Sequence, residues 1–349
     1  MKLANLPGAC EYFVSNVVGG KSYRCFAKTP KPGERVLWVK FTGFGDVLQS
    51  GASIKIFKEH FPGIHMTLLA APPYRELMEA QPSIDDYISG EKTSLGKYLS
   101  LISELKKRER FDWVISLQDK SKSDTIGVRA HIRNKVGSGR AIFYDGYLWD
   151  WLDRINVDIR NRETPGIVPP QGSVLKAQTL LSSLPERRVF AVIGAAWEEK
   201  RWPTDYWCAF LKELVREGWG VVLNGHGKEE KRIGAEIENN VKSGNILNLV
   251  DKLSFYDMAG VASQCSFALG NDTGPLHLAA LEGITTIGIF GGTRPEPVGL
   301  LMPWFKSITT TCYSVGRGCD KRCTKAAFGT CLRSVTPERL KHLFDRMAS

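Results

Sequence analysis

No stretch of this sequence reaches the roughly 20 consecutive apolar residues that a bilayer-crossing helix needs, so no transmembrane segment is expected. The first twenty residues also lack the sustained apolar block of a signal peptide, which points to a cytoplasmic chain. No segment recurs with a period of 20–50 residues, which excludes solenoid architectures. Cysteine is sparse: eight residues in 349 do not make a disulfide scaffold. No RNP, helix-turn-helix or zinc-finger spacing accompanies the positive charge, so nucleic acid is not an expected partner. Acidic residues are in deficit, with 37 Asp+Glu against 47 Lys+Arg and a net charge of +10. Such a surface favours anionic partners: phosphorylated metabolites or an acidic membrane face.

What is present is ordinary globular material. Hydrophobic residues make up 43% and charged residues 24%, and the length suggests about two domains. Residues 1–34 read as irregular. From there strands and helices alternate. Strands are expected at 35–41, 65–70, 87–88 and 113–117, with helices at 46–60, 74–80, 94–109 and 122–134. The alternation blurs between about 140 and 185, where Pro165, Pro169 and Pro170 mark a linker. It restarts with a helix at 173–184. Strands then follow at 189–193, 220–223, 246–247, 267–269 and 285–290, and helices at 204–217, 229–242, 254–263, 274–282 and 336–347. Alternation of this kind means α/β architecture with parallel sheets covered on both faces. The expected layout is an N-terminal domain at 1–170, a C-terminal domain at 171–335 and a final helix, 336–349, returning toward the first domain. Two doubly wound units would face a cleft lined by loops at the carboxyl ends of their strands.

Three segments carry chemistry. Gly43-Phe44-Gly45-Asp46-Val47-Leu48 joins a strand to a helix start. It is a poor dinucleotide fingerprint, because Leu48 replaces the third glycine and no acidic residue ends the second strand. Asp46 reads either as a carboxylate capping free helix N–H groups or as a general base for a hydroxyl. The second segment, Gly270-Asn271-Asp272-Thr273-Gly274-Pro275-Leu276-His277, opens another helix. Asp272 or Thr273 would cap it, and the Thr273 and Gly274 N–H groups form an anion cradle. His277 lies one turn in, as a ligand contact or as a core histidine. The third segment, Trp197-Glu198-Glu199-Lys200-Arg201-Trp202-Pro203, offers Lys200 and Arg201 to a diphosphate, or as a solvated basic pair. Cys312, Cys319, Cys323 and Cys331 put four thiols within 20 residues. They would hold a structural zinc or iron, or stiffen a loop as packed thiols or a disulfide.

Taken together, these segments resemble glycosyltransferase family 9, the ADP-heptose heptosyltransferases of lipopolysaccharide core synthesis. VLWVKFTGFGDVLQSGASIKIFKEHFPG, FDWVISLQDKSKS, KRWPTDYWCAF and GNDTGPLHLAALEGITTIGIFGGT match that family's signatures in order, over about residues 34–346. The resemblance implies the GT-B fold and inverting transfer by single displacement, with no metal required for catalysis. It puts Asp46 at the catalytic base and Lys200, with Arg201, at the donor phosphates. Asp272, Thr273, Gly274 and His277 fall on the nucleotide-sugar block. The family often has hydroxyl residues where Ala195 and Ala196 stand, so a diphosphate contact there is lost or made by the backbone. Glu229 and Glu230, in the loop 224–230, are donor-side candidates for a ribose or base.

The acceptor is expected to be a lipid-linked, phosphorylated inner-core sugar (Kdo or heptose) at the inner membrane face, met by Lys120, Lys122 and Arg129. A solvated helix face is the plainer account of those charges. A transferase acting on protein hydroxyls, of the autotransporter type with cysteine-ligated iron, is the alternative. A sugar-nucleotide epimerase of the same shape is another.

Overall fold

Val36, Leu37, Trp38 and Val39 have no exposed surface. Four apolar residues in a row, buried on both sides, are what a central parallel strand demands. They form the middle of a sheet in a computed structural model that describes residues 10–12, 23–25, 29–90, 95–108, 110–117, 134–137, 152, 155–158, 163–291, 295, 302–310 and 331–348. The chain divides into two compact units, Met1–Asn161 and Arg162–Ser349.

The first unit contains β1 (Cys10–Tyr12), β2 (Tyr23–Cys25), β3 (Arg35–Val39), α1 (Phe44–His60), β4 (His65–Ala70) and α2 (Arg75–Glu79). It continues with β5 (Asp86–Ser89), α3 (Leu95–Lys107), β6 (Trp113–Ser116) and β7 (Asn134–Gly137). Its five-stranded sheet runs β5-β4-β3-β6-β7, and every pair in it is parallel. Leu37, Val39, Phe41, Leu69, Ile88, Leu101, Leu105 and Val114 form one of its apolar clusters, between the sheet and α3. Two features depart from expectation. The stretch 1–34 contains the antiparallel pair β1–β2, and residue 134 begins a strand instead of ending a helix. The rest of the expected helix 122–134 lies outside the described residues.

The second unit contains α4 (Gln171–Leu180), β8 (Arg188–Val192), α5 (Thr204–Arg216), β9 (Gly220–Asn224), α6 (Lys228–Val241) and β10 (Ile246–Asn248). Next come α7 (Phe255–Ser263), β11 (Phe267–Asn271), α8 (Gly274–Leu281), β12 (Thr285–Phe290), β13 (Phe305–Thr309) and α9 (Pro337–Ala348). Its all-parallel sheet runs β10-β9-β8-β11-β12-β13. That is the order of a doubly wound nucleotide-binding sheet, with its reversal between β8 and β11. In the first unit the corresponding reversal falls between β3 and β6. Strand β13 was not foreseen.

The proline-bearing segment belongs to the second unit. Gly166 and Ile167 donate their N–H groups to the Leu281 carbonyl, tying the segment to the end of α8. The divide therefore falls at 161/162 rather than at 170. Helix α9 packs on the second unit. Leu340 and Phe344 are buried in the second unit's own core, with the Phe344 ring 4.5 Å from Phe267 and 5.1 Å from Trp219.

Glu282 caps the carboxyl end of α8. Both of its carboxyl oxygens are buried with no hydrogen-bond partner among the described residues, and burial pushes its pKa well above the usual carboxylate range. The negative end of the helix makes a charge there still less welcome. The sign follows from linkage: below about pH 4.3 both folded and unfolded chains hold this proton. Above it the unfolded chain loses the proton first, so this group makes the fold less stable as pH rises. Glu282→Gln should remove that loss, worth about 1.4 kcal/mol per pH unit between the two titrations. The expected result is a Tm at pH 7.5 higher by about 2–4 °C per kcal/mol, shrinking to nothing near pH 4. Thermal melts across that range check it, and a pH-independent difference would contradict it.

Candidate functional site

The reversal points of the two sheets are where loops from neighbouring strands part and leave room for a ligand. The motifs read from the sequence fall on both points.

In the first unit, β3 gives way to Lys40, whose N–H bonds to the Leu69 carbonyl. The backbone then turns at Gly43, with φ +90°, into α1. Only glycine holds that conformation without strain. The position also needs the missing side chain, because a Cβ there would stand 2.7 Å from the Asp46 Oδ2. The N-cap position of α1 is Gly43, which has no side chain to cap with, and Asp46 stands in the first turn. The Asp46 Oδ2 lies 2.9 Å from the Nζ of Lys40. The lysine side chain is 1% exposed and that of Asp46 38%. One edge of the carboxylate is thus held from within while the residue remains open to solvent. Tyr74, from the turn after β4, stacks on Phe44 with ring centroids 5.8 Å apart. Its phenol is pushed up by burial and by the Asp46 charge, against a lowering backbone hydrogen bond from Gly43. It therefore stays a neutral hydroxyl beside the carboxylate.

In the second unit, β8 and β11 are neighbours, which brings the loop at 194–203 against the start of α8. Asn271 fastens them together. Its Nδ2 donates to the Ile193 and Gly194 carbonyls, and its Oδ1 accepts from the Trp202 N–H at 2.9 Å. Trp202 is anchored in turn, its ring 5.0 Å from that of Trp207 and its indole N–H bonded to the Val335 carbonyl. The loop so fixed places the Lys200 Nζ 2.6 Å from the Asp272 Oδ2 and 5.0 Å from the centroid of the Trp197 ring. The other carboxylate oxygen of Asp272 is 3.0 Å from the His277 Nε2. Burial alone would raise the Asp272 pKa, but His277 and Lys200 outweigh it and hold the group far below the usual carboxylate range. The His277 Nδ1 is buried and has no partner among the described residues. Thr273 occupies the cap position of α8 without a side-chain cap bond, and Gly274 follows as its first residue. Pro275 has no N–H, and the Leu276 and His277 N–H groups bond to the Thr273 carbonyl, so Thr273 and Gly274 are the positions whose N–H groups this helix start would offer an anion.

The other candidates are distributed less directly. Arg201 donates its Nε to the Ala195 carbonyl. Glu229 is taken up by Arg232 on the surface of α6. Glu230 turns inward and accepts backbone N–H groups of His226 and Ala195. A Cβ on Gly194 or Gly225 would collide with the Glu230 carboxylate, so the two loops are built around it and Glu230 braces them. Lys120, Lys122 and Arg129 lie outside the described residues, as do Cys312, Cys319 and Cys323. Cys331 is described, half-buried and packed against the core of the second unit. Sequence reasoning missed Lys40, Tyr74 and Asn271. For Lys40 a signal existed: a charged residue set directly after four apolar strand residues.

Comparison with known proteins agrees with this geometry. Residues 170–327 match the sequence profile described as glycosyltransferase family 9 (heptosyltransferase). The lipopolysaccharide heptosyltransferase 1 of Pseudomonas aeruginosa is 29% identical over 44% of this chain, a stretch spanning 39% of that protein. A lipooligosaccharide heptosyltransferase 2 of Haemophilus influenzae is 24% identical over 72% of this chain and 82% of its own length. The structure of an ADP-heptose lipopolysaccharide heptosyltransferase II from E. coli superposes with a TM-score of 0.70. It is 18% identical and covers 90% of this chain and 98% of that one. Its likeness shows the fold: two Rossmann-like α/β units of the GT-B class. By the profile match over residues 170–327 and these relatives, the chain is similar to the heptosyltransferases of glycosyltransferase family 9, and it is a glycosyltransferase.

Proposed function

We propose that this protein moves a heptose from ADP-heptose to a lipopolysaccharide inner-core acceptor, either Kdo or heptose, with inversion and without a catalytic metal. The observation that carries the reading is the placement of both motif groups on strand-order reversals, Asp46 in one unit and Lys200–Asp272–His277 in the other. Asp46 takes the proton of the acceptor hydroxyl as its oxygen attacks the anomeric carbon. The bond from that carbon to the phosphate oxygen breaks, and its electron pair leaves on ADP. The growing negative charge meets Lys200, Arg201 and the uncapped start of α8, which are fixed before the reaction begins. Positive charge supplied by side chains and backbone does the work that a divalent cation would otherwise do. Glu230 supports the donor loops from beneath, with Glu229 at their rim. The basic stretch at Lys120, Lys122 and Arg129 is proposed to meet the phosphorylated, lipid-linked acceptor at the inner membrane face.

A donor screen tests the reading. ADP-heptose at a hundred times its Kd should stabilise the protein by about 2.7 kcal/mol, with UDP- and GDP-sugars inert. Transfer is then assayed on lipid-linked inner-core sugar and on a protein acceptor in parallel. Stabilisation by UDP-sugars alone would overturn the donor assignment, and transfer only to protein would overturn the acceptor.

A further inference from the structure

Lys40 is among the largest fully buried side chains of the protein. An ammonium group out of solvent is costly unless it is paired and hydrogen-bonded. Lysine therefore stays at such a position only where its charge is used. Here the Nζ approaches one oxygen of Asp46, the Oδ2, at 2.9 Å. The groups facing that carboxylate are Lys40 from the end of β3, Tyr74 from the turn after β4, and Gly43 beneath it at the start of α1.

We infer that Lys40 is a positioning residue that holds the Oδ2 edge of Asp46 and thereby presents Oδ1 as the single proton-accepting edge. The inference rests on the reading of Asp46 as the base. A carboxylate has two equivalent oxygens and a freely turning terminal torsion. A base whose proton-accepting lone pair must point at one hydroxyl gains from having the other oxygen occupied. A buried lysine does this with a short, charge-assisted contact, and its own burial prevents it from following the carboxylate outward. Gly43 completes the device, since any side chain there would push the carboxylate off the lysine.

Lys40→Met keeps the length and apolar fit of the stem and removes the charge. In this variant kcat should fall about ten- to a hundredfold, the scale of a misplaced reacting group, with the KM values for donor and acceptor unchanged. Introduced into Asp46→Asn, the same change should cost nothing further, because no base remains to be positioned. Lys40→Arg, which keeps a cation, should recover part of the rate. In the apoprotein, NMR couplings should show one Asp46 side-chain rotamer with Lys40 present and averaging in Lys40→Met. Equal losses in both backgrounds, or a retained single rotamer, would leave Lys40 a purely structural lysine and overturn the inference. An Asp46→Asn enzyme of undiminished rate would instead remove the base reading itself. An inactive Asp46→Asn beside a fully active Lys40→Met would remove the positioning role alone.

Discussion

Asp46→Asn should lower the transfer rate by about 10²–10⁴-fold, the range that general base catalysis contributes, and leave ADP-sugar affinity where it was. Asparagine keeps the size and planar shape of the carboxylate and still offers an oxygen to the Lys40 ammonium. It cannot accept the acceptor's proton. Donor affinity should hold because the groups proposed for the diphosphate all come from the second unit. Asp46→Ala is the poorer experiment. It removes an ionic partner from an ammonium that is 1% exposed, so lost stability would be mixed with lost chemistry. Steady-state ADP release gives the rate, and calorimetry with ADP gives the affinity. Turnover at the wild-type rate would strike Asp46 from the mechanism. A parallel loss of ADP binding would mean that it serves the donor instead.

The two sheets were legible because their strands obey a simple rule. A buried parallel strand is a short apolar run, and ArgValLeuTrpVal at 35–39 and ThrThrIleGlyIlePhe at 285–290 say so plainly. Strand β13, PheLysSerIleThr, carries two exposed residues at its centre and gives no such run. Strands β1 and β2 have three residues each, too few for any period to register. The site was half legible. Its motifs could be read, but not what joins them. Lys200 and Asp272 are 72 positions apart, and their meeting depends on β8 lying beside β11, a matter of strand order that alternation does not encode. Asp272 and His277 straddle a helix start, so no helical spacing pairs them. Lys40 looks like a strand-end charge until its burial is known. Glu230 looked like a ligand contact, although Gly194 and Gly225 were the trace of its inward turn.

Lys200→Met separates two roles that the structure superimposes. The ammonium is proposed to meet the donor diphosphate, and it is also a counter-ion of the buried Asp272. Losing a charge-assisted hydrogen bond to the diphosphate costs about 1.5–3 kcal/mol, so ADP-sugar should bind about ten- to a hundredfold more weakly. The rate at saturation should also fall, since charge develops on the leaving phosphate in the transition state. The second role shows in the absence of any ligand. Asp272 has a depressed folded-state pKa. Its stabilising contribution is therefore complete above the unfolded value of about 3.9 and is lost as pH falls below that. Without Lys200 the depression is smaller, His277 remaining as the other partner, and the contribution disappears at a higher pH. Acid unfolding of the apoprotein, followed by circular dichroism, should accordingly begin at higher pH in Lys200→Met than in the native chain. Weaker ADP binding together with the earlier acid transition supports both roles. An earlier acid transition with unaltered ADP affinity would make Lys200 the keeper of Asp272 and nothing more, and the diphosphate would then have to be held by Arg201 and the open start of α8.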